Sequence, residues 1–146
     1  MPEKETLERA RKDKEEGKAP STQAGEFVRE EIEHIREGKH GARSTKQAIA
    51  IVLSKARRAG VKLPAKKGTS KQTQKQAARD IRKGQKGRKR KTSAKRSRAT
   101  RAALKKEGHA AVSKKALSRQ ARSAAAKRSA ASRSRAAKKA AATRKK

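Results

Sequence analysis

The stretch STKQAIAIVLSKARRAGVKLP, residues 44–64, decides the fold. Its apolar residues recur at the i, i+3, i+4, i+7 spacing of one helix face: Ile49, Val52, Leu53 and Ala56. Ser44 and Gln47 have the capping-box spacing that satisfies free backbone amides at a helix start. Gly60 suits a left-handed cap and Pro64 a stop, with cations in the turns before them. The stretch therefore predicts an amphipathic helix.

A second apolar stripe precedes it in STQAGEFVREEIEHIREGKHG, residues 21–41. The stripe consists of Phe27, Val28, Ile32 and Ile35. Pro20 is a plausible start, and Gly38 or Gly41 an end, for the helix that this spacing predicts. The glutamates of the same segment are predicted to leave its outer face mostly acidic: Glu30, Glu31 and Glu33.

The connection GKHGAR, residues 38–43, is short, and it predicts that the two helices pack against each other as a hairpin. The predicted hairpin core is Phe27, Val28, Ile32, Ile35, Ile49, Val52 and Leu53. Folding units of this size have marginal stability as monomers. A homodimer formed through the hairpin is therefore as compatible with the sequence as a monomer.

The rest of the chain is poor in residues that could build a core. Leu, Ile, Val, Phe and Met together number 16 of 146 residues, a fraction at which charged chains are expected to be disordered. Serines at 70, 93 and 113 and glycines at 84 and 108 still punctuate helix-prone tracts. The predicted fold class is all-α: a mixed-charge arm (1–20), a helical hairpin (21–64) and a long, largely disordered, helix-prone basic tail (65–146).

Charge is distributed unevenly along the chain. The formal net charge is +33, yet residues 1–40 carry 9 basic and 11 acidic side chains, so the surplus lies beyond residue 40. A near-neutral head on a cationic tail is typical of a basic nucleic-acid-binding extension. The predicted phosphate-binding residues are Lys86, Arg88, Lys89, Arg90, Lys91, Lys95, Arg96, Arg98, Arg101, Lys105, Lys106, Lys114, Lys115, Arg119, Arg122, Lys127, Arg128, Arg133, Arg135, Lys138, Lys139, Arg144, Lys145 and Lys146.

Such a tail needs no fixed geometry, so the leading hypothesis is sequence-independent binding and compaction of duplex DNA by a histone-like nucleoid protein. An RNA- or ribosome-associated protein would use the same charges, and a protein-interaction module could use the tail only for localisation. Membrane insertion is not expected, because the basic positions from 114 to 139 are scattered around the helix circumference. The apolar run AIAIVL (48–53) is too short for a span or a signal peptide, so we expect a cytoplasmic, nucleoid-associated protein.

Catalytic and metal chemistry find little support in the sequence. Cysteine is absent, and no nucleophile–base pair or phosphate-binding glycine loop occurs, so we expect no enzyme activity and no cofactor. The histidines complete no recognised ligand spacing and are predicted to be solvent-exposed, with no metal site: His34, His40 and His109.

The run RSTKQAIAIVLSKARRAG, residues 43–60, resembles the core of a family of small, lysine- and arginine-rich bacterial proteins of unassigned function. The run ALSRQARSAAAKRSAASRSRAAKKAA, residues 116–141, is similar to tails in the same group. This resemblance implies a bacterial host and no particular mechanism. In composition the tail also resembles the basic tails of linker histones and bacterial histone-like proteins, although it lacks their Ser-Pro and Lys-Pro steps.

Overall fold

The computed structural model describes residues 2–66, 68–86 and 93–144. These ranges contain helices and no strand, which confirms the all-α class. The helices are α1 (Lys4–Glu15), α2 (Pro20–Arg36), α3 (Thr45–Arg58), α4 (Lys71–Gln85), α5 (Ala94–Lys106), α6 (Lys114–Ala126) and α7 (Ala130–Arg144), with a 3-10 turn at Ala110–Val112. The chain divides into two compact units, the first ending at Val112 and the second beginning at Ser113.

The predicted hairpin is formed by α2 and α3, which pack against each other. Ser44 begins α3, and its Oγ accepts a hydrogen bond from the Gln47 amide at 3.2 Å. Gln47 Oε1 accepts in turn from the Arg43 amide at 2.8 Å, one residue before the position that the capping box prescribes. The chain leaves α3 through Gly60 at φ +101°, the left-handed conformation that glycine adopts without strain.

The core of the first unit consists of two apolar clusters. One contains Ala10, Ala24, Phe27, Val52, Ala56 and Val61, with Val28 and Leu63 packed against it. The other contains Ile35, Ala42, Ala48, Ala111 and Val112, with Ile32 packed against it. The inward line of α3 is thus Ala48–Val52–Ala56, while Ile49 and Leu53 are only partly buried and lie in neither cluster. Small residues on this line let α2 and α3 approach closely.

The N-terminal arm folds as α1 and packs against α2. Ala10 and Thr6 are buried, and Arg9 Nε lies 2.8 Å from Glu26 Oε2 across the two helices. Within α1, Glu5 and Arg9 form an i,i+4 ion pair at 3.2 Å. The arm is therefore a packed helix.

Helix α4 extends the first unit beyond the hairpin by packing on α3. Gly84, which the sequence suggested as a helix end, lies inside α4. A Cβ atom there would be 2.3 Å from the carbonyl oxygen of Arg57, so the glycine permits close contact between the two backbones. Helix α4 therefore lies in the same compact unit as the hairpin, and that unit ends at Val112.

The end of α5 is attached to the connection between α2 and α3. The Gly41 amide donates to the Leu104 carbonyl at 2.9 Å, and the Ala42 amide donates to the Gly108 carbonyl at 3.1 Å. A Cβ atom on Gly41 would overlap the carbonyl of Glu107. Helix α5 itself buries no side chain, so these backbone contacts hold its C-terminal end.

The second unit contains α6 and α7. Ser113 caps α6, as its spacing predicted, by accepting a hydrogen bond from the Ala116 amide at 3.2 Å. None of the side chains described between residues 113 and 144 is buried. The structure does not show the largely disordered tail expected for 65–146; the described part of that segment is mostly helical. Among the described helices, none is both long and apolar enough to cross a bilayer.

Candidate nucleic-acid interface

The predicted phosphate-binding residues are solvent-exposed wherever the structure describes them. They are Lys86, Lys95, Arg96, Arg98, Arg101, Lys105, Lys106, Lys114, Lys115, Arg119, Arg122, Lys127, Arg128, Arg133, Arg135, Lys138, Lys139 and Arg144. The others lie outside the described residues: Arg88, Lys89, Arg90, Lys91, Lys145 and Lys146. The described cations are thus all accessible to a partner.

In the second unit the cations point in many directions. At about 100° per residue, the basic positions of α7 are spread over the whole circumference of the helix: Arg133, Arg135, Lys138, Lys139 and Arg144. The sequence of residues 113–146 contains no aspartate or glutamate. The unit therefore carries its positive charge with no acidic side chain of its own to balance it.

Helix α4 has a different arrangement, because all its cations share one face. At the same angular spacing, six exposed basic residues fall within an arc of about 120°. They are Lys71, Lys75, Arg79, Arg82, Lys83 and Lys86, and we call this set the α4 ridge. Four of them, Arg79, Arg82, Lys83 and Lys86, line a single concavity of about 400 Å³. The ridge is a cationic surface on a helix packed against the core.

The opposite face of α4 explains why the ridge points outward. Ala77 and Asp80 are buried, with 1% of each residue exposed. Asp80 accepts hydrogen bonds from Arg58 Nε at 2.8 Å and Ser54 Oγ at 2.9 Å, both on α3, and from Gln76 Nε2 at 3.2 Å on α4 itself. The carboxylate thus fixes the rotation of α4, because turning the helix would break the bonds to Arg58 and Ser54.

The same contacts control the charge of Asp80. Burial raises its pKa, but the hydrogen bonds from Arg58, Ser54 and Gln76 lower the pKa by more than burial raises it. The pKa therefore lies below the usual value of 3.8. Asp80 is therefore ionised at neutral pH and neutralised by an α3 cation. It does not neutralise the ridge.

Glu107 is the other acidic residue beyond residue 40. Its Oε1 lies 3.5 Å from Arg43 Nε at the connection between α2 and α3. Both carboxylates of this cationic region thus face cations contributed by the hairpin, and neither has a described ion pair with a ridge residue.

The ridge matches the charge spacing of a nucleic-acid strand. From Lys71 to Lys86 the helix rises about 22 Å, and one DNA strand places about six phosphates along that length. The number of ridge cations is thus close to the number of phosphates that a DNA strand places over the same length. Such a surface can neutralise a phosphate backbone without reading base edges.

Sequence reasoning missed most of the ridge. Only Lys86 was among the predicted contacts, because those were chosen by charge density, which is highest further along the chain. The signal was present: Lys71, Lys75, Arg79 and Lys83 recur every four residues, the spacing of one helix face. What the sequence did not disclose is that α4 packs on α3 through Asp80.

The histidines differ from their predicted exposure. His109 is exposed, but the side chains of His34 and His40 retain only 13% and 18% of their accessible area. They lie beside Glu30 and Glu31, which are 3% and 1% exposed and so do not form the expected acidic outer face. The packing of α1 and α3 on α2 encloses these groups.

Comparison with known proteins gives a family match for the first half of the fold. Residues 6–67 match the model of a family described as a family of unknown function (DUF6496). No curated protein and no solved structure matches the chain. The matched segment includes most of α1, all of α2 and α3, and the connection toward α4, and it ends before the ridge. This agrees with a resemblance to a family of unassigned function and leaves the tail resemblance as a prediction.

Proposed function

We propose that this protein binds nucleic-acid backbones without sequence preference, with duplex DNA as its principal partner, in the manner of a histone-like nucleoid protein. The observation that supports this best is the α4 ridge, where six cations share one solvent-exposed face and the one acidic residue of the helix is turned to the interior. The packing of α4 on α3 turns these cations to solvent, and no acidic side chain of the helix lies among them.

The two units would contribute differently to binding. The ridge is held on the core and presents its charges without further folding. The second unit buries no described side chain, and like charges three and four residues apart oppose its helices in water. Phosphates that neutralise these charges would stabilise those helices.

Two cationic units in one chain also raise avidity. Once one unit is bound, the other finds phosphate at a high effective concentration. Pairing of two chains through the hairpin would double the number of cationic units in the complex. The partly exposed Ile49 and Leu53 leave apolar surface on α3 for such pairing. Homodimer formation stays a prediction, which sedimentation of the full chain at micromolar concentration would test.

The decisive experiment is a salt titration of binding to duplex DNA and to structured RNA of equal length. Each phosphate contact contributes about −0.9 to the slope of log affinity against log salt on B-DNA. The ridge alone should therefore give a slope of about −5, and the whole chain a steeper one. Equal binding to unrelated DNA sequences is expected, because the proposed contacts are to phosphates.

Three results would contradict the proposal. A slope near zero would show that phosphate neutralisation does not drive binding. Strong preference for one DNA sequence would require base contacts. Preference for RNA over DNA at every salt concentration would favour the RNA- or ribosome-associated alternative.

A further inference from the structure

A second group of ionisable side chains lies inside the first unit, and none of its members belongs to the α4 ridge. Glu31 and His34 are one turn apart on α2, and His40 follows in the connection to α3. One ligand atom from each of these three residues lies within 4.8 Å of the other two. All three side chains are largely buried, with 1%, 13% and 18% of their area exposed in chain order.

Glu31 has one carboxylate oxygen that accepts no hydrogen bond from the described residues. Its Oε2 accepts a hydrogen bond from Lys55 Nζ. Its Oε1 is buried with no hydrogen-bond partner among the described residues, and it faces His40 Nε2 at 3.5 Å. Burying a carboxylate oxygen without a donor is costly. The oxygen is therefore positioned for a ligand between it and the imidazoles.

The charges around this oxygen also point to a cation. Glu30 and Glu31 are both buried, and Lys55 Nζ is the ammonium near both, at 3.8 Å from Glu30 Oε1. Glu30 Oε1 likewise lacks a hydrogen-bond partner in the described part of the chain. Two buried carboxylates thus share one ammonium and otherwise face imidazole nitrogens, His34 Nδ1 at 3.9 Å from Glu30 Oε1 and His40 Nε2 at 3.5 Å from Glu31 Oε1. A cation between these groups would neutralise buried negative charge that one ammonium leaves in excess.

We propose that Glu31, His34 and His40 bind a divalent transition-metal ion, with zinc as the best fit. Two imidazole nitrogens and one carboxylate oxygen form a zinc donor set that leaves a fourth position for water. Imidazole nitrogens disfavour magnesium and calcium, which take oxygen ligands. The Glu3 carboxylate lies 2.8 Å from His34 Nε2, and carboxylates of this kind orient the histidines of metal sites. The ion would link α2 to the connection that follows it.

This inference does not rest on nucleic-acid binding, because the residues and the helices are different. The test is calorimetric titration of zinc into the untagged full-length chain after EDTA treatment and dialysis. Cobalt(II) absorption then reports the coordination geometry. We expect one ion per chain, a tetrahedral or five-coordinate cobalt spectrum, and a zinc-dependent rise in the melting temperature.

The variants His34→Gln and His40→Gln should each weaken zinc binding at least tenfold. His109→Gln is the matched control, because it removes an exposed histidine of the same unit that is not part of the cluster, and it should leave affinity unchanged. Circular dichroism checks that each variant keeps its helices. If a histidine variant unfolds, Glu31→Gln decides the question, since it keeps the size of the side chain and removes its charge.

The inference is overturned if wild-type protein binds zinc no more tightly than the variants. It is also overturned if His109→Gln weakens binding as much as His40→Gln does, because the ion would then bind histidines at random.

Discussion

Helices α4 and α7 have the same length and a similar cationic character, but they hold their charges in opposite ways. In α4 every basic residue lies on one face, and Ala77, Asp80 and Gly84 face α3. In α7 the basic residues surround the helix, and no described side chain is buried. The difference shows that charge content alone does not place cations on one face of a helix; a buried contact on the opposite side is what orients them.

The largest expected effect comes from removing the second unit. Deleting residues 113–146 removes thirteen basic residues and no acidic one. If about ten of them contact phosphate, the salt slope should become shallower by about 9, and DNA affinity near 0.1 M salt should fall by more than about 10³-fold. Fluorescence anisotropy with a labelled duplex measures both quantities.

The same deletion should leave the melting temperature of the first unit nearly unchanged, because the second unit buries no described side chain. A large loss of stability together with a small loss of affinity would contradict the division of roles between the two units.

The second expected effect compares the ridge with an equal number of scattered charges. Replacing all six ridge residues by glutamine should weaken duplex binding about tenfold more than replacing six residues of α5: Lys95, Arg96, Arg98, Arg101, Lys105 and Lys106. Both variants lose six positive charges, so total charge is matched. Equal losses of affinity would show that the shared face does not matter.

The third effect is on stability and concerns the contact between α3 and α4. Gly84→Ala places a Cβ atom 2.3 Å from the Arg57 carbonyl oxygen, so the two backbones must separate, at a cost of about 1–3 kcal/mol in the free energy of unfolding. Gly25→Ala is the control, since nothing lies within 4 Å of its Cβ position, and alanine should stabilise α2 by about 0.5–1 kcal/mol. Urea unfolding followed by circular dichroism measures both, and equal shifts for the two variants would contradict the packing described for α4.

A smaller loss is expected from Asp80→Asn. The substitution removes the charge that Arg58 faces, while the amide oxygen still accepts from Ser54. Because the Arg58 side chain is about half exposed, at 51%, water compensates part of the loss, and we expect a destabilisation of about 1–2 kcal/mol. The variant should also bind DNA less well, because α4 loses its fixed rotation. Unchanged binding would show that DNA binding by the ridge does not depend on the contact between Asp80 and α3.

The smallest effect is a pH dependence. The pKa of Asp80 is lowered in the folded chain, so its carboxylate contributes stability above the ordinary value of 3.8, and this contribution is lost as the pH falls through the lowered pKa. Urea unfolding between pH 5 and pH 2 should show a steeper decline for the wild type than for Asp80→Asn, because only the wild type loses this group. Equal declines in stability for the wild type and Asp80→Asn would contradict a lowered pKa of Asp80 in the folded chain.

Much of this fold could be predicted from the sequence. The capping residues, apolar spacing and terminal glycines of 21–60 identified α2 and α3, and the serines at 70 and 113 identified helix starts that the structure confirms. These signals are local, so one sequence suffices to recognise them.

The packing of α1 and α4 could not be predicted in the same way. Both helices contact the hairpin through alanine, threonine and aspartate, which are poor evidence of burial in a charged segment. The position of Gly41 against the Glu107 carbonyl depends on residues far apart in the chain. The cluster of Glu31, His34 and His40 was not predicted for a related reason, since the burial of Glu31 beside the two histidines depends on how α1 and α3 pack on α2.

The buried carboxylate of α4 has a consequence for how a cationic tract can acquire an inner side. One acidic residue opposite the basic positions, with the small residues Ala77 and Gly84 on the same face, lets the helix pack with no large apolar residue among its buried side chains. Helix α7, whose basic residues surround the helix, has no comparably wide cation-free face on which an acidic residue could have the same effect.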